Sequence, residues 1–167
     1  MDLSYGERRF LQAYHYFLKT EYHTDNFLDM IVAQNMISFL QRLSWMHTDF
    51  EFMLSGENGM YSSGCEASLL RLNRKKEDVK LYQSSERYYG EISVNNCKEL
   101  EEFNGTYLID WHKDDLPTWI RCLAMVSFIK EVPFGRIPFS FETILDRLRY
   151  EDNKIPESYV QEAYDLV

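Results

Sequence analysis

Apolar residues recur along this chain at the spacing of one face of an α-helix, and this periodicity constrains the fold more than any other feature. Side chains at i, i+3, i+4 and i+7 share a helical face, whereas a half-buried strand requires strict alternation. Five segments show the helical spacing, and only residues 50–54 give a clear, partly alternating run. The pattern predicts a mainly α fold (α+β) of about six helices with a small strand element, in one globular domain over residues 1–167.

The first two apolar stripes each predict a long helix. Ser4 and Glu7 form a capping box that opens the first helix. Its apolar face comprises Phe10, Leu11, Tyr14, Phe17 and Leu18. The second stripe, which predicts a central helix, comprises Leu28, Val32, Met36, Phe39, Leu40 and Leu43. Gln34 and Asn35 lie beside this stripe, and we expect them to be hydrogen-bonded packing residues instead of ligands.

Further along the chain, start and stop signals bound the other helices. A helix over residues 67–72 runs into a basic cluster, where cations complement the helix dipole; the cluster is Arg71, Arg74, Lys75 and Lys76. Pro117 suits the first turn of a helix that is apolar on nearly all sides through Ile129, which predicts its burial. Ser140 and Pro156 mark the starts of the last two helices.

Residues 77–95 carry no clear helical stripe. VKLYQ and EISV have the composition of short strands, and SSERYYG between them is typical of a turn. We therefore expect a small hairpin-like wing here, completing a small sheet with residues 50–54. Beyond it, the sequence predicts a short helix from Lys98 to Phe103 that Asn104-Gly105 stops.

The net charge, the cysteine content and the absence of long apolar runs bear on the partners and the compartment that we expect for this chain. The net charge of −9 disfavours general nucleic-acid binding, which needs clustered Lys and Arg against phosphates. Cys65, Cys97 and Cys122 form no CxxC pair, and their odd number fits a reducing compartment better than a disulfide framework. The sequence shows neither a signal pattern at its N-terminus nor an apolar run of 18 residues. We expect a cytoplasmic protein without membrane contact.

The glycine- and serine-rich segment SGENGMYSSGCEASLLRL, residues 55–72, admits three interpretations. A phosphate loop requires Gly-Lys-Ser/Thr, but Gly64 is followed by Cys65 and Glu66, and a glutamate in the first turn repels phosphate. A nucleophile turn requires Gly-x-Ser-x-Gly, which does not occur. Ser63 and Glu66 instead fit a second capping box. We expect a structural corner between a strand and a helix, built on Gly59, Tyr61, Ser62, Ser63 and Glu66.

Residues with catalytic or metal-binding chemistry are scattered. The four histidines, His15, His23, His47 and His112, show no HxxxH or HExxH spacing. Cys65 at a helix start can have a lowered pKa, but we expect a small buried cysteine, because catalysis also needs a positioned base. The sequence therefore predicts no catalytic, metal or cofactor-binding residues. A hydrolase or nuclease that acts through an unrecognised Asp/His set is the third functional alternative.

The corner and its surroundings resemble the Panacea group, which includes SocA-like antitoxins and YwgA-like proteins. That group has a strand, a Gly-Pro-Tyr-Ser loop and a helix that continues to Leu; here the loop is Gly59-Met60-Tyr61-Ser62, followed by Glu66, Leu69 and Leu72. MIVAQNMISFLQRL stands upstream where the group has a long helix, and WIRCLAMVSFIKEV follows as an apolar helix. Two short helices close the chain. Arg149 stands where the group often has a lysine before the turn, and Ala163 stands where it often has an alanine near the end. The resemblance implies a mainly helical fold that binds proteins and needs no cofactor.

From this resemblance and the surplus of tyrosine, we expect a non-enzymatic binder of a toxin or of a defence or host protein, without direct nucleic-acid contact. Tyr88, Tyr89, Trp111 and His112 are candidate contact residues, because aromatic side chains suit interfaces; each also suits half-buried packing. A homodimer stays open. The second alternative is a phage-encoded inhibitor whose carboxylates imitate nucleic-acid phosphates, in the manner of an anti-CRISPR protein.

If the corner is architectural, replacing Tyr61 with Ala lowers stability, because the ring packs the corner against the central helix. We expect a loss of a few kcal/mol if the ring is buried, measured by chemical denaturation. A Tyr61→Ala protein that keeps its full melting temperature but loses an activity would show instead that the corner is a functional site.

Overall fold

The computed structural model describes residues 2–95, 97–131, 139–152 and 154–167, without the side chains of residues 92–100. Within these ranges the chain forms nine α-helices, a two-stranded antiparallel sheet and two short 3-10 turns. The helices are α1 (Tyr5–Leu18), α2 (Phe27–Arg42), α3 (Ser63–Asn73), α4 (Lys76–Gln83), α5 (Glu86–Asn95), α6 (Cys97–Tyr107), α7 (Leu116–Glu131), α8 (Phe141–Glu151) and α9 (Glu157–Leu166). The mainly α prediction is confirmed, with more helices than the six expected.

The sheet is smaller than expected. Strand β1 (Met53–Leu54) pairs with β2 (Met60–Tyr61), so that Met53 lies opposite Tyr61 and Leu54 opposite Met60. Residues 50–52, predicted as part of the strand, are irregular, and residues 77–95 contribute no strand among those described. A two-stranded sheet of this length is marginal on its own, so its geometry depends on the side chains around it.

The described residues divide into two compact units. The first unit comprises Met1–Met30 and Glu66–Leu116, and the second comprises Ile31–Cys65 and Pro117–Val167. Helices α2 and α3 each contribute residues to both units. That the whole chain is a single domain stays a prediction.

Aromatic rings dominate the interior of the first unit. Phe10 and Tyr14 of α1 each pack edge-on against Tyr22, with ring centroids 5.0 and 5.1 Å apart. Tyr82 of α4 packs against Tyr88 of α5 in the same manner, at 5.2 Å. All five rings are buried, and such edge-to-face pairs stabilise a fold beyond the area that they bury. The high aromatic content is therefore largely structural here.

Helix α1 begins as the sequence predicts. The Ser4 hydroxyl accepts a hydrogen bond from the Glu7 N–H at 3.2 Å, and the Glu7 carboxylate accepts one from the Ser4 N–H at 2.6 Å. These two bonds satisfy backbone donors that a helix start leaves without partners. The helix ends at Leu18 and is followed by the cap residue Lys19, which adopts a left-handed backbone conformation with φ of 56°.

The predicted wing at residues 77–95 is wrong, because this segment forms α4 and α5. In α4 the buried residues are Val79, Tyr82 and Gln83, which is helical spacing, and the intervening Leu81 is exposed. Ser85 stops the first helix and opens the second, since its hydroxyl accepts a hydrogen bond from the Tyr88 N–H at 3.2 Å. The dipeptide Asn104-Gly105 also fails to act as a stop, as α6 continues through it to Tyr107.

The second unit is built around α7, whose residues are buried on nearly every side, as the sequence predicts. Trp119 packs edge-on against Tyr159 of α9, with ring centroids 5.5 Å apart. Ser140 caps α8 through a hydrogen bond from the Thr143 N–H at 3.3 Å, which confirms its predicted role. Helix α2 contributes Ala33, Met36, Ile37 and Leu40 to the buried residues of this unit.

The N-terminal end of α2 differs from the expected stripe. The sequence pattern predicts that Leu28 lies on the apolar face, but its side chain is 67% exposed, and Phe27 beside it is 62% exposed. The buried face instead starts at Met30 and continues through Ala33 and Ile37.

None of the described helices combines the length and the apolar character needed to span a membrane.

His15 on α1 should make stability depend on pH. Its ring lies against Tyr88 and Tyr89, with centroids 5.6 and 6.3 Å away, and its buried Nδ1 has no hydrogen-bond partner among the described residues. Burial lowers the pKa of His15, and nearby Lys19 acts in the same direction, while Glu21 opposes them. The unfolded chain therefore takes up a proton near pH 6.5, before the folded protein does.

We therefore expect the unfolding free energy of the native protein to fall as the pH drops below about 6.5 and to level off below the folded-state pKa. In His15→Gln this part of the pH dependence should be missing, as measured by urea denaturation between pH 5 and 8. His47→Gln, which removes an exposed histidine, is the matched control. Parallel pH profiles for the native protein and His15→Gln would contradict the assignment.

Candidate functional site

Residues 55–62, which we call the corner, turn the chain from β1 into β2 and then into α3. Gly59 O accepts a hydrogen bond from the Ser55 N–H at 2.7 Å, which closes the loop around a single 3-10 turn over Gly56–Asn58. Gly56 and Gly59 have φ of 53° and 78°. L-residues rarely adopt such angles, so the two glycines make this tight turn accessible.

Two side chains of α2 hold the corner in place. Asn35 donates through Nδ2 to the carbonyls of Ile31 at 3.0 Å and Asn58 at 2.8 Å, and its Oδ1 accepts from the Met60 N–H at 2.8 Å. Gln34 Oε1 accepts from the Ser62 N–H at 2.8 Å. Both side chains are buried. Their predicted role as hydrogen-bonded packing residues is confirmed.

Charged side chains hold the corner from other helices. Arg121 of α7 donates to the carbonyl of Glu57 at 3.0 Å and lies 3.0 Å from Oδ2 of the buried Asp152. Lys154 pairs with the Glu57 carboxylate at 2.7 Å and thereby lowers the pKa of Glu57. Glu151 accepts a hydrogen bond from the Gly56 N–H at 3.3 Å. The corner is thus fixed by α2, by α7 and by the chain at the end of α8.

The residue that caps α3 lies one position earlier in the sequence than predicted. Ser62, and not Ser63, supplies the cap: its buried hydroxyl accepts from the Cys65 N–H at 3.4 Å. Ser63 is already the first residue of α3 and is exposed. The predicted capping box of Ser63 with Glu66 is therefore wrong, and Glu66 is a half-buried residue in the first turn.

The two cysteines whose side chains are described are free and buried. Burial raises the pKa of Cys65 to about 12, and it raises that of Cys122 as well. A thiol with such a pKa stays protonated near neutral pH and is a poor nucleophile. The prediction that Cys65 is a small buried packing residue is confirmed. Cys97 lies outside the described side chains.

An open groove with a volume of about 350 Å³ lies beside the corner. We call it the corner groove. Aromatic and aliphatic side chains, two acidic side chains and the start of α3 line it: Asp49, Phe50, Glu51, Met53, Tyr61, Ser62, Ser63 and Gly64. Met53 is 61% exposed, and both acidic residues are exposed. The groove therefore combines apolar surface with negative charge.

The predicted contact residues all belong to the first unit, and they differ in accessibility. Trp111 is 81% exposed and Tyr89 is 51% exposed, whereas His112 is half-buried. Tyr88 is fully buried, and its hydroxyl lies 3.4 Å from the carbonyl oxygen of Leu11, to which it donates. The prediction of Tyr88 as a contact residue is wrong, because α5 turns this ring inward where a hairpin turn would have exposed it.

Sequence reasoning identified the corner but missed the charged residues around it. Arg121, Asp152 and Lys154 are distant in sequence from residues 55–62, and no local pattern connects them. Among the described residues, no group of three or more His, Cys, Asp and Glu side chains is placed to hold a metal ion. The corner groove presents apolar side chains, hydroxyl groups and carboxylates at its surface.

Comparisons of the chain with models of protein families, with curated proteins and with solved structures gave no match. The resemblance to the Panacea group thus stays a prediction based on the corner motif and the order of the helices. A function for the chain has to be argued from the groove and its surroundings.

Replacing Gly59 with Ala should destabilise the protein. A Cβ at Gly59 would lie 2.3 Å from Asn35 Oδ1 and 2.7 Å from Arg121 Cγ, at a φ that disfavours L-residues. We expect a loss of about 2–4 kcal/mol, from backbone strain and disrupted hydrogen bonds. The measurement is the free energy of unfolding in urea.

The control is Gly90→Ala in α5, where the added Cβ has no atom within 4 Å apart from its chain neighbours and the backbone of its own helix. This substitution should stabilise the protein by about 0.5–1 kcal/mol, because alanine favours the helix. Equal effects of the two substitutions would refute the close packing of Gly59 against Asn35.

Proposed function

We propose that this protein is a non-enzymatic module that binds another protein, and that the corner groove is its binding site. The observation that supports the proposal is the groove itself, an open cavity of about 350 Å³ with apolar and acidic walls. Grooves of this type accommodate side chains of a partner without catalytic groups. Among the described residues that line the groove there is no cysteine or histidine.

The chemistry of the groove defines its occupant. Phe50, Tyr61 and Met53 offer apolar surface to a large aliphatic or aromatic side chain, whose burial supplies affinity. Asp49 and Glu51 attract Lys or Arg on either side of that anchor, which adds specificity and speeds association. The partner is therefore a protein segment in which a large apolar residue is flanked by basic residues.

Preorganisation of the corner favours tight binding. The side-chain oxygens of Asn35 and Gln34 accept hydrogen bonds from the N–H groups of Met60 and Ser62, which fixes the backbone beside the groove residue Tyr61. A surface that is ordered before association loses less conformational entropy when the partner binds. The groove can thus bind its partner with little change of the backbone.

The biological setting of the proposal comes from the resemblance to the Panacea group. On that basis we infer an antitoxin-like neutraliser or adapter in a toxin, phage or defence context, acting in the cytoplasm. An antitoxin must bind its toxin tightly and specifically, and a preorganised groove with complementary charge suits that task.

A second candidate function is an acidic inhibitor that blocks a nucleic-acid-binding or defence protein. The observation that favours it is the net charge of −9 together with the exposed Asp49 and Glu51 at the groove. A phosphate mimic contacts a basic surface through many carboxylates, whereas the groove proposal depends on one apolar anchor and two carboxylates. The two functions therefore differ in how strongly binding depends on salt.

Met53→Arg should weaken partner binding, because it replaces the exposed apolar side chain of the groove by a bulky cation that repels the basic residues of the partner. A peptide-display selection on the native protein should enrich segments with a large apolar residue between Lys or Arg. Those peptides should lose at least about ten-fold in affinity for Met53→Arg, since about 1.4 kcal/mol of binding energy corresponds to that factor. Leu81→Arg is the matched control, as Leu81 is 60% exposed and does not line the groove.

Equal binding to the native protein, Met53→Arg and Leu81→Arg would place the binding site elsewhere. A partner captured from native cells with the same protein pair should show the same dependence on Met53. If its affinity falls by orders of magnitude between low and physiological salt, the acidic inhibitor replaces the antitoxin-like binder. A modest decrease supports the groove.

A further inference from the structure

Another cavity in the second unit has a volume of about 180 Å³ and shares Phe50 with the corner groove. We call it the Ser38 pocket. Three residues of α2, two aromatic residues that precede β1 and the last residue of α7 line it: Ser38, Gln41, Arg42, Phe50, Phe52 and Glu131. The three α2 residues are spaced at i, i+3 and i+4, so they share one helical face.

Gln41 fixes the aromatic wall of the Ser38 pocket. Its Nε2 donates to the Phe50 carbonyl at 2.9 Å, and its Oε1 accepts from the Phe50 N–H at 3.0 Å and from the Thr48 hydroxyl at 2.7 Å. Phe52 packs edge-on against Phe50, with ring centroids 6.3 Å apart. The wall is therefore ordered before a ligand binds, which lowers the entropy cost of binding.

Arg42 and Glu131 supply the charges of the pocket, one of each sign. Arg42 Nη1 pairs with the Glu131 carboxylate, and the guanidinium carbon lies 5.2 Å from the centre of the Phe128 ring. These contacts hold the guanidinium in place, but its buried Nε has no hydrogen-bond partner among the described residues. The Glu131 side chain is 55% exposed, so it can rotate and admit a ligand to the guanidinium.

Ser38 gives an independent indication of a missing polar group. The residue is only 2% exposed, and its buried hydroxyl has no hydrogen-bond partner in the part of the chain that the structure describes. A buried serine in a helix can bond to the carbonyl one turn earlier, but this hydroxyl does not. A buried polar group without a partner costs free energy, which a bound acceptor relieves. The Nε–H group of Arg42, one turn further along α2, has the same requirement.

These groups define the chemistry of the ligand. The Ser38 hydroxyl and the Arg42 Nε–H can both donate to a carbonyl oxygen, and the Glu131 carboxylate can accept from an N–H beside that oxygen. A carboxylate ligand would lack the N–H and would be repelled by Glu131, whereas an ammonium group would be repelled by Arg42. A carboxamide carries both the acceptor and the donors without net charge. Its carbon chain can pack against Phe50 and Phe52.

We propose that the Ser38 pocket binds an uncharged carboxamide group, either of a small free amide or of an Asn or Gln side chain in the protein segment that occupies the corner groove. The carboxamide oxygen accepts from Ser38 and Arg42, and its NH₂ group donates to Glu131. No covalent bond is formed or broken. The second source rests on the proposed function of the corner groove, whereas the pocket and its chemistry do not.

The first test compares three small probes of nearly equal shape by NMR titration: butyramide, pentan-2-one, which replaces the NH₂ group by methyl, and butyrate, which replaces it by a charged oxygen. Butyramide should shift the backbone amide resonance of Ser38 and the Nε–H resonance of Arg42. It should bind at least about ten-fold more tightly than the other two, because only the amide satisfies both the donors and Glu131. Equal binding of the three probes, or unchanged resonances of Ser38 and Arg42, would overturn the proposal.

Two variants test the location of the site. Ser38→Ala should weaken butyramide binding about five-fold, since it removes one neutral hydrogen bond. Arg42→Lys keeps the cation beside Glu131 but removes the Nε–H donor, and it should weaken binding about ten-fold. Ser127→Ala is the matched control: Ser127 is a buried serine on α7 that does not line the pocket, so the affinity should stay unchanged.

The stability of Ser38→Ala, measured by urea denaturation, separates a binding role from a structural one. A hydroxyl without a partner contributes nothing that its removal can take away, so the variant should be as stable as the native protein or more stable. A marked loss of stability would show that the hydroxyl bonds within the protein and would contradict the proposal. Equal affinity of the native protein and Ser38→Ala for butyramide would also overturn it.

Peptides selected on the corner groove identify the source of the carboxamide. If the partner supplies it, the selected segments carry Asn or Gln at a fixed distance from the apolar anchor, and replacing that residue by Leu weakens binding to the native protein but not to Ser38→Ala. Selected peptides without this preference, together with butyramide binding that Ser38→Ala weakens, identify a small free amide. Met53→Arg should leave butyramide binding unchanged, because Met53 does not line the Ser38 pocket. Failure of the peptide selection alone would therefore contradict the proposed function of the corner groove, and failure of butyramide binding would contradict the Ser38 pocket.

Discussion

Asn35 occupies the position on which the geometry of the corner depends. Its side chain bonds to the backbone of Ile31 in its own helix and to the backbone of Asn58 and Met60 in the corner. A sheet with two residues per strand leaves most loop N–H and C=O groups without ladder partners, and such groups need other partners when buried. The Asn35 side chain accepts one hydrogen bond from the corner and donates one to it, and it donates another within α2. Gly59 is required beside it, because a Cβ would collide with the Asn35 oxygen.

The pair of Arg121 and Asp152 extends this constraint to residues far away in the sequence. Asp152 is buried, and a buried carboxylate is stable only when a cation or several donors compensate its lost hydration. Arg121 lies 3.0 Å from it and also bonds to the Glu57 carbonyl in the corner. Removing Arg121 would take away the cation that faces the buried Asp152 carboxylate. The position of the corner is therefore coupled to the packing of α7 and to the residue that follows α8.

Local signals in the sequence predicted the parts of the fold that short-range physics determines. The capping box of Ser4 and Glu7 and the apolar surface of α7 are of this kind, and so is the role of Asn35 beside the central stripe. Residues 77–95 fold as two helices although Ser85 and Gly90 are typical of turns, which is why the local pattern predicts a hairpin there. Burial of Tyr82 and Tyr88 against α1 offsets the cost of about 1 kcal/mol that a helical glycine imposes.

Long-range pairs account for what the sequence did not reveal about the sites. The apolar wall of the corner groove combines Phe50, which precedes β1, with Tyr61 of β2, so this wall exists only after β1 and β2 pair. Arg9 and Arg87 are likewise far apart in the sequence, and they line one cavity only because α5 packs on α1. Neither arrangement has a sequence motif, since the groove depends on the pairing of β1 with β2 and the cavity depends on which faces of α1 and α5 meet.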